Sequence, residues 1–199
     1  GTHAGSINVW EIVATEGGIA SRKVSVLASG TDNFAMSVAF SPDGRFVASG
    51  HHDGRVAVFE LIGTDGAAAL EGSAPKHVLE AHSAPVRSLA WTRDGRLLTA
   101  SDDGSSAVYD IGGGGAEQTA SLRGHASWVL CVAAHPDGRR CATGGADGSV
   151  KLWDIETREC VHTFAKHAAQ VWGVAFAPDG VRLLSCGDDA TLQFFTVPA

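Results

Sequence analysis

Short runs of alternating apolar and polar residues fill the chain, and none keeps the 3.6-residue period of a helix over a useful length. Ser37-Val38-Ala39-Phe40, Arg45-Phe46-Val47-Ala48-Ser49 and Val56-Ala57-Val58-Phe59 are typical. Each has the length and the β-branched or aromatic content of a strand. The punctuation between runs is regular. Ser41-Pro42-Asp43-Gly44 returns as Thr92-Arg93-Asp94-Gly95, His135-Pro136-Asp137-Gly138 and Ala177-Pro178-Asp179-Gly180. One strand further on comes a second turn, Asp53-Gly54, Asp103-Gly104, Asp147-Gly148 or Asp189-Ala190, and an aromatic follows each of these Asp residues at a constant interval: Phe59, Tyr109, Trp153, Phe195. Asp-Gly supplies the positive φ that tight hairpins demand. Each unit therefore predicts an antiparallel meander of four strands, a to d, and a repeat of about 40 to 45 residues built this way is a propeller blade. The expected fold is an all-β propeller of four-stranded antiparallel blades.

The unit from Gly124 to Asp154 carries both Gly124-His125 and Trp153-Asp154, and with them it resembles the WD-repeat family. In that family a His before strand a, a Ser or Thr on strand b, the Asp of the second turn and the strand-c Trp form a buried hydrogen-bonded set. The resemblance implies that role for His125, Thr143, Asp147 and Trp153. A buried imidazole and indole N–H need partners, which is why such a set would be structural. The unit ending at Tyr109 keeps His82, Thr99 and Asp103; the one ending at Phe195 keeps His167, Ser185 and Asp189. The unit ending at Phe59 has Thr31 at the His position, with Ser49 and Asp53. Phe cannot donate, so the sets ending in Phe59 and Phe195 are expected to be partial.

The units run over 28–80, 81–122 and 123–164, with a half blade at 1–27 and a blade lacking its last strand at 165–199. Gly1 aligns with Gly50, Ala4 with Asp53 and Trp10 with Phe59, while only Thr196 to Ala199 follow Phe195. The expectation is a piece of a seven-bladed ring, or a chain whose copies associate to complete one. The Gly- and Ala-rich stretch from Gly63 to Ala74 and the shorter Gly112 to Gly115 read as rim loops, not domain boundaries.

Composition narrows the function classes. With 44% apolar and 19% charged residues among 199, the chain is an ordinary globular one. No apolar run approaches the roughly 20 residues of a membrane span, so no membrane role is expected. A net charge of −7 and no basic run longer than Arg139-Arg140 speak against direct nucleic-acid binding. Cys131, Cys141, Cys160 and Cys186 lie in apolar runs without C-x-x-C spacing and read as small buried hydrophobes. No signal peptide is visible, although the chain starts at Gly1 and not at Met.

Ser, His and Asp recur together in every unit and invite a hydrolase reading. A catalytic triad is needed once, however, whereas this trio keeps the period of the fold. His51-His52-Asp53 reads as solvated turn residues, without a second ligand pair at zinc-like spacing. No enzyme, metal or cofactor is therefore expected. The informative residues lie at the mouth of strand a. Counted from the His position, the third residue is Phe34, Pro85, Trp128 or Gln170 and the fifth is Met36, Arg87, Leu130 or Trp172. Phe34, Met36, Arg87, Trp128, Leu130 and Trp172 are the expected partner-binding set, read as exposed, with Arg87 meeting an acidic or carbonyl group of the partner. The competing reading packs the two Trp side chains between blades.

Further stretches are similar to the WD-repeat subunit of the superkiller complex: GHASWVL at Gly124 to Leu130, Cys160-Val161-His162-Thr163-Phe164 with Gln170-Val171-Trp172-Gly173-Val174, Pro85-Val86-Arg87-Ser88-Leu89 with Leu98 to Gly104, and the opening GTHAGSINV. That resemblance, taken over essentially the whole chain, implies a nuclear and cytoplasmic adaptor in mRNA decay with the exosome and in transcription elongation with the RNA polymerase-associated factor complex. Its implied partners are a TPR-type scaffold and a helicase. A structural subunit of a cytoskeletal or ciliary assembly is the alternative.

Overall fold

The computed structural model describes residues 5–15, 18–29, 33–61, 74–112 and 115–198. Every regular element among them is a strand. A two-stranded ribbon, β1 (Ser6–Thr15) and β2 (Gly18–Ala28), opens the chain. Three four-stranded antiparallel sheets follow: β3 (Ala35–Phe40) to β6 (His77–Glu80) through β4 (Phe46–His51) and β5 (Arg55–Glu60); β7 (Val86–Trp91) to β10 (Gly115–Arg123) through β8 (Arg96–Ser101) and β9 (Ser105–Gly112); and β11 (Val129–Ala134) to β14 (Cys160–Phe164) through β12 (Arg140–Gly145) and β13 (Val150–Asp154). The last sheet has three strands, β15 (Val171–Phe176), β16 (Arg182–Gly187) and β17 (Leu192–Thr196).

The turns explain this order. In the turn between the first two strands of each sheet a Gly N–H donates to the residue three back: Gly44 to Ser41, Gly95 to Thr92, Gly138 to His135 and Gly180 to Ala177, at 2.9–3.0 Å. The next turn closes the same way, Gly54 to His51, Gly104 to Ser101, Gly148 to Gly145 and Ala190 to Gly187. Ala190 holds φ at 59°, where its neighbours use glycine, so this turn carries local strain that the others avoid.

The first strands β3, β7, β11 and β15 pack side by side, and the core lies between consecutive sheets. Val56, Val58 and Phe46 meet Val86, Leu97 and Tyr109; Leu98, Val108 and Leu122 meet Cys141 and Trp153; Val150 and Leu152 meet Val171, Leu183 and Phe195. The opening ribbon covers Val47, Ala57 and Phe59 with Ile7 and Leu27. Polar ties lock neighbouring sheets at both ends. The His82 amide donates to the Gly54 carbonyl at 3.1 Å, the Arg96 guanidinium to Gly138 at 2.8 Å and the His135 ring to Gly180 at 2.8 Å. A side chain on Gly54, at φ +87°, would run into the His82 carbonyl oxygen.

The outer face of the last sheet is different. Leu184 pairs with Phe194 and Cys186 with Leu192, and Phe194 is 74% and Leu192 62% exposed. Their counterparts in the preceding sheet, Leu152 and Val150, are fully buried by β15–β17. At the opposite end Val38 and Phe40 are exposed, because the two-stranded ribbon covers only part of the face they share with Val47 and Phe59.

Three expectations change. Cys131 and Cys141 are buried, but Cys160 is exposed because β14 is an edge strand of its sheet, and Cys186 is half-buried beside the exposed Leu192 of the last sheet. Trp10, aligned with the buried Phe59, is 56% exposed, since the ribbon has no further strand beside β1 among the described residues. His51, read as a solvated turn residue, is fully buried. Thr31, Gly1, Ala4 and most of the Gly63 to Ala74 stretch lie outside the described residues.

Candidate docking surface at the mouth of the inner strands

Each first strand is interrupted at the same place. The register with its neighbour shifts between Ala35 and Ser37, Val86 and Ser88, Val129 and Cys131, and Val171 and Gly173. The residues left out of the ladder are Met36, Arg87, Leu130 and Trp172. A bulge of this kind re-aims a side chain by leaving one residue unpaired in the ladder, so the same device sets four chemically different side chains at the mouth of adjacent strands.

Beneath them lie the histidine sets. The His125 Nδ1 faces both oxygens of Asp147, at 3.0 and 3.1 Å, so that nitrogen carries the proton; Nε2 then accepts from the Thr143 hydroxyl at 2.7 Å. Thr143 in turn accepts from the Trp153 indole at 2.8 Å. Burial pushes the His125 pKa down against the pull of Asp147, and the ring is neutral at pH 7. Burial alone would raise Asp147, but the Ser149 hydroxyl, the Ser149 and Ala126 amides and His125 outweigh it and hold the carboxyl at about 2. His82 repeats the arrangement with Asp103 (2.8 Å) and Thr99 (2.7 Å), and His167 with Asp189 (2.9 Å) and Ser185 (2.7 Å). Tyr109 does not complete its set: its hydroxyl turns to Gln118 at 3.3 Å. In the first four-stranded sheet His51 takes over from its own strand, with Nε2 at 2.9 Å from Ser49 and Nδ1 at 3.3 Å from the Asn33 carbonyl. Sequence alignment missed His51 because it enters from β4 instead of from the segment before β3.

These sets have the connectivity of a hydrolytic triad, yet Thr99 and Thr143 are fully buried and Ser185 is 1% exposed. A nucleophile has to meet substrate, and these hydroxyls are spent on holding histidines.

The residues singled out for partner contact divide. Trp128 and Trp172 are each 49% exposed and Phe34 is 39% exposed, so about half of each Trp side chain meets solvent. Phe34 tilts against His52 at 5.0 Å between ring centroids, and Met36 is half-buried. Leu130 is corrected: only 4% of it is exposed. Its strand β11 is packed on both sides, by β7 and β15, and an aliphatic side chain there has no polar tip to keep outside. Arg87 has a partner within its own sheet. It binds Asp102 of its own sheet through Nε at 2.9 Å and Nη2 at 2.6 Å, so Asp102 holds one edge of its guanidinium, and Nη1 makes no bond to the described residues. Trp172 treats Asp188, which occupies the same place in the last sheet, in a related way, with its indole N–H donating to Oδ1 at 2.6 Å. Trp128 and Asp102 share a cleft of about 460 Å³ with Arg123, Ser127 and the second turn of the neighbouring sheet.

The model of the "WD domain, G-beta repeat" family matches residues 21–60, 73–110, 116–154 and 158–196. The chain belongs to the WD40 family. Among curated relatives of this WD40 chain, "Eukaryotic translation initiation factor 3 subunit I" of Scheffersomyces stipitis is 38% identical over 121 residues, covering 60% of the chain and 33% of that protein. "Superkiller complex protein 8" of Dictyostelium discoideum is 38% identical over 79 residues, 39% of the chain and 26% of that protein. The superkiller likeness is thus narrower than the sequence reading took it to be, and the initiation-factor likeness is longer at the same identity. Among solved structures, a chain of the "Crystal Structure of Mitotic Checkpoint Complex" superposes with a TM-score of 0.75 at 26% identity, over 96% of this chain and 55% of that one. The chain spans between a quarter and a third of the length of these two curated relatives.

Proposed function

We propose that this WD40 chain is a non-enzymatic scaffold that docks a protein partner at the mouth of its inner strands, as an adaptor subunit of a multiprotein complex. The observation that carries this reading is the pair Trp128 and Trp172. Both are large aromatics set at strand mouths and both are half exposed, in a molecule that buries its other aromatic of that size in the same two sheets, Trp153, at 2%. Exposed Trp is enriched at protein contacts, and truncating a hot-spot Trp costs about 2 kcal/mol or more.

The complex we favour is the mRNA-decay or transcription-elongation assembly implied by the superkiller likeness, with a TPR-type scaffold and a helicase as partners, in nucleus and cytoplasm. A second reading, a subunit of a translation initiation factor, is favoured by the longer match to subunit I. Affinity purification from the native source separates them. Co-purifying TPR scaffold and helicase supports the first, and initiation-factor subunits support the second. Trp172→Ala and Trp128→Ala should each weaken binding of the purified partner about 30-fold or more, while Arg158→Ala, in the exposed turn before β14, leaves it unchanged. If calorimetry shows the reverse, the docking surface is elsewhere.

A further inference from the structure

The repeat supplies its own ligand template. In the second four-stranded sheet the carboxylate before the turn Asp, Asp102, is filled by a guanidinium: Arg87, the bulge residue, puts Nε at 2.9 and 3.0 Å and Nη2 at 2.6 Å from its two oxygens. The last sheet has the same carboxylate, Asp188, facing the same bulge position, but the bulge residue is Trp172. Its neutral N–H satisfies Oδ1 alone, at 2.6 Å. Among the described residues nothing else bonds to or pairs with the Asp188 side chain, and no Lys, Arg or His nitrogen lies within 4.0 Å of it. The neighbouring Asp189 offers no help, being occupied by His167, Thr191 and the Ala168 amide. An exposed carboxylate is thus left without a cationic partner among the described residues, beside an indole that is itself 49% exposed.

The geometry points to a binding site at the mouth of the last sheet for an arginine side chain of the partner, with Asp188 accepting its guanidinium and the Trp172 ring as the platform on which it lies. This rests on the docking reading above and names the chemistry of what docks. A guanidinium is planar, forks onto carboxylates and stacks on aromatic faces, which a lysine ammonium does less well. Arg87 shows that this position in the repeat takes that group. The chain's net charge of −7 adds a general attraction for a basic segment.

The test uses the protein with ¹⁵N labelling, reading the Trp172 indole N–H resonance while a blocked Gly-Arg-Gly peptide is added, against peptides with citrulline or lysine in place of arginine. The arginine peptide should shift the Trp172 resonance and bind at least tenfold more tightly than the citrulline peptide, with lysine between them. Asp188→Asn keeps an oxygen for the Trp172 N–H and removes the charge, so it should abolish the preference for arginine over citrulline while the melting temperature holds. Trp172→Phe, followed by calorimetry because it has no indole N–H to read, keeps a ring and should retain part of the preference. Asp102→Asn should not change it. Equal binding of the arginine and citrulline peptides, equal binding of arginine and lysine, or a preference that survives in Asp188→Asn overturns the assignment. If that happens while Trp128→Ala and Trp172→Ala still weaken the purified partner, only the guanidinium site falls; if those two variants bind the partner normally, the docking surface falls with it.

Discussion

Thr143 stands where three groups meet. Its oxygen accepts from Trp153 and its proton goes to His125, which in turn is held by Asp147. Replacing it with valine keeps the shape and strands an indole N–H and an imidazole nitrogen in a fully buried place, a loss of about 1–3 kcal/mol. The Ser185 hydroxyl bonds to His167 and receives no indole N–H, because Phe195 has nothing to donate. Chemical denaturation should therefore rank Thr143→Val as clearly more damaging than Ser185→Ala; equal losses would mean that the indole bond contributes nothing. Most of these partners were legible through the resemblance to the WD-repeat family, since a His, a hydroxyl residue and an Asp return in register at the positions that family uses. His51 was not. A histidine that replaces a missing one from a different strand leaves no mark in the repeat's phase, and it can be recognised only once β3 and β4 are side by side. Leu130 failed for a related reason: its chemistry is that of an interface residue, and its burial depends on the two strands that flank β11.

At the scale of elements, turn position and strand length were written in the chain by Asp-Gly spacing, and the β-bulges were not. Period-two alternation says which face a residue is on, but a single unpaired residue shifts that pattern by one and looks like noise in a six-residue strand. The glycine turns allow a sharper test, because similar backbone geometry occurs in two surroundings. Gly54 and Gly95 both hold strongly positive φ, +87° and +90°. A Cβ on Gly95 meets nothing within 4 Å, whereas one on Gly54 collides with the His82 backbone of the next sheet. Gly95→Ala should cost only the backbone strain, about 1–2 kcal/mol. Gly54→Ala should cost about 1–3 kcal/mol more through the forced separation of two sheets. Thermal unfolding of the pair checks this, and equal shifts would show that the sheets are not tightly coupled at their turns.

For the molecule as a whole, the number and order of sheets follow from the sequence, but which faces lie open does not, since Leu192 and Phe194 look like any other core residues in a strand. Only the packed structure shows that Val150 and Leu152 are covered while Leu192 and Phe194 are bare. These exposed side chains and those of Val38 and Phe40 form two apolar surfaces of different shape, each beside a strand, β17 or β1, that is paired on one edge only among the described residues. Copies that meet through such unlike surfaces join head to tail, and a head-to-tail contact that does not close on itself has no natural stopping point. Sedimentation of the 199-residue chain should accordingly show a mean mass that climbs with concentration instead of levelling at a dimer, and Leu192→Ser combined with Phe194→Ser should return it toward the monomer. A single species at all concentrations would contradict this. The same apolar residues that serve as core between two sheets would then act, at the last one, as the propagating end of a linear polymer.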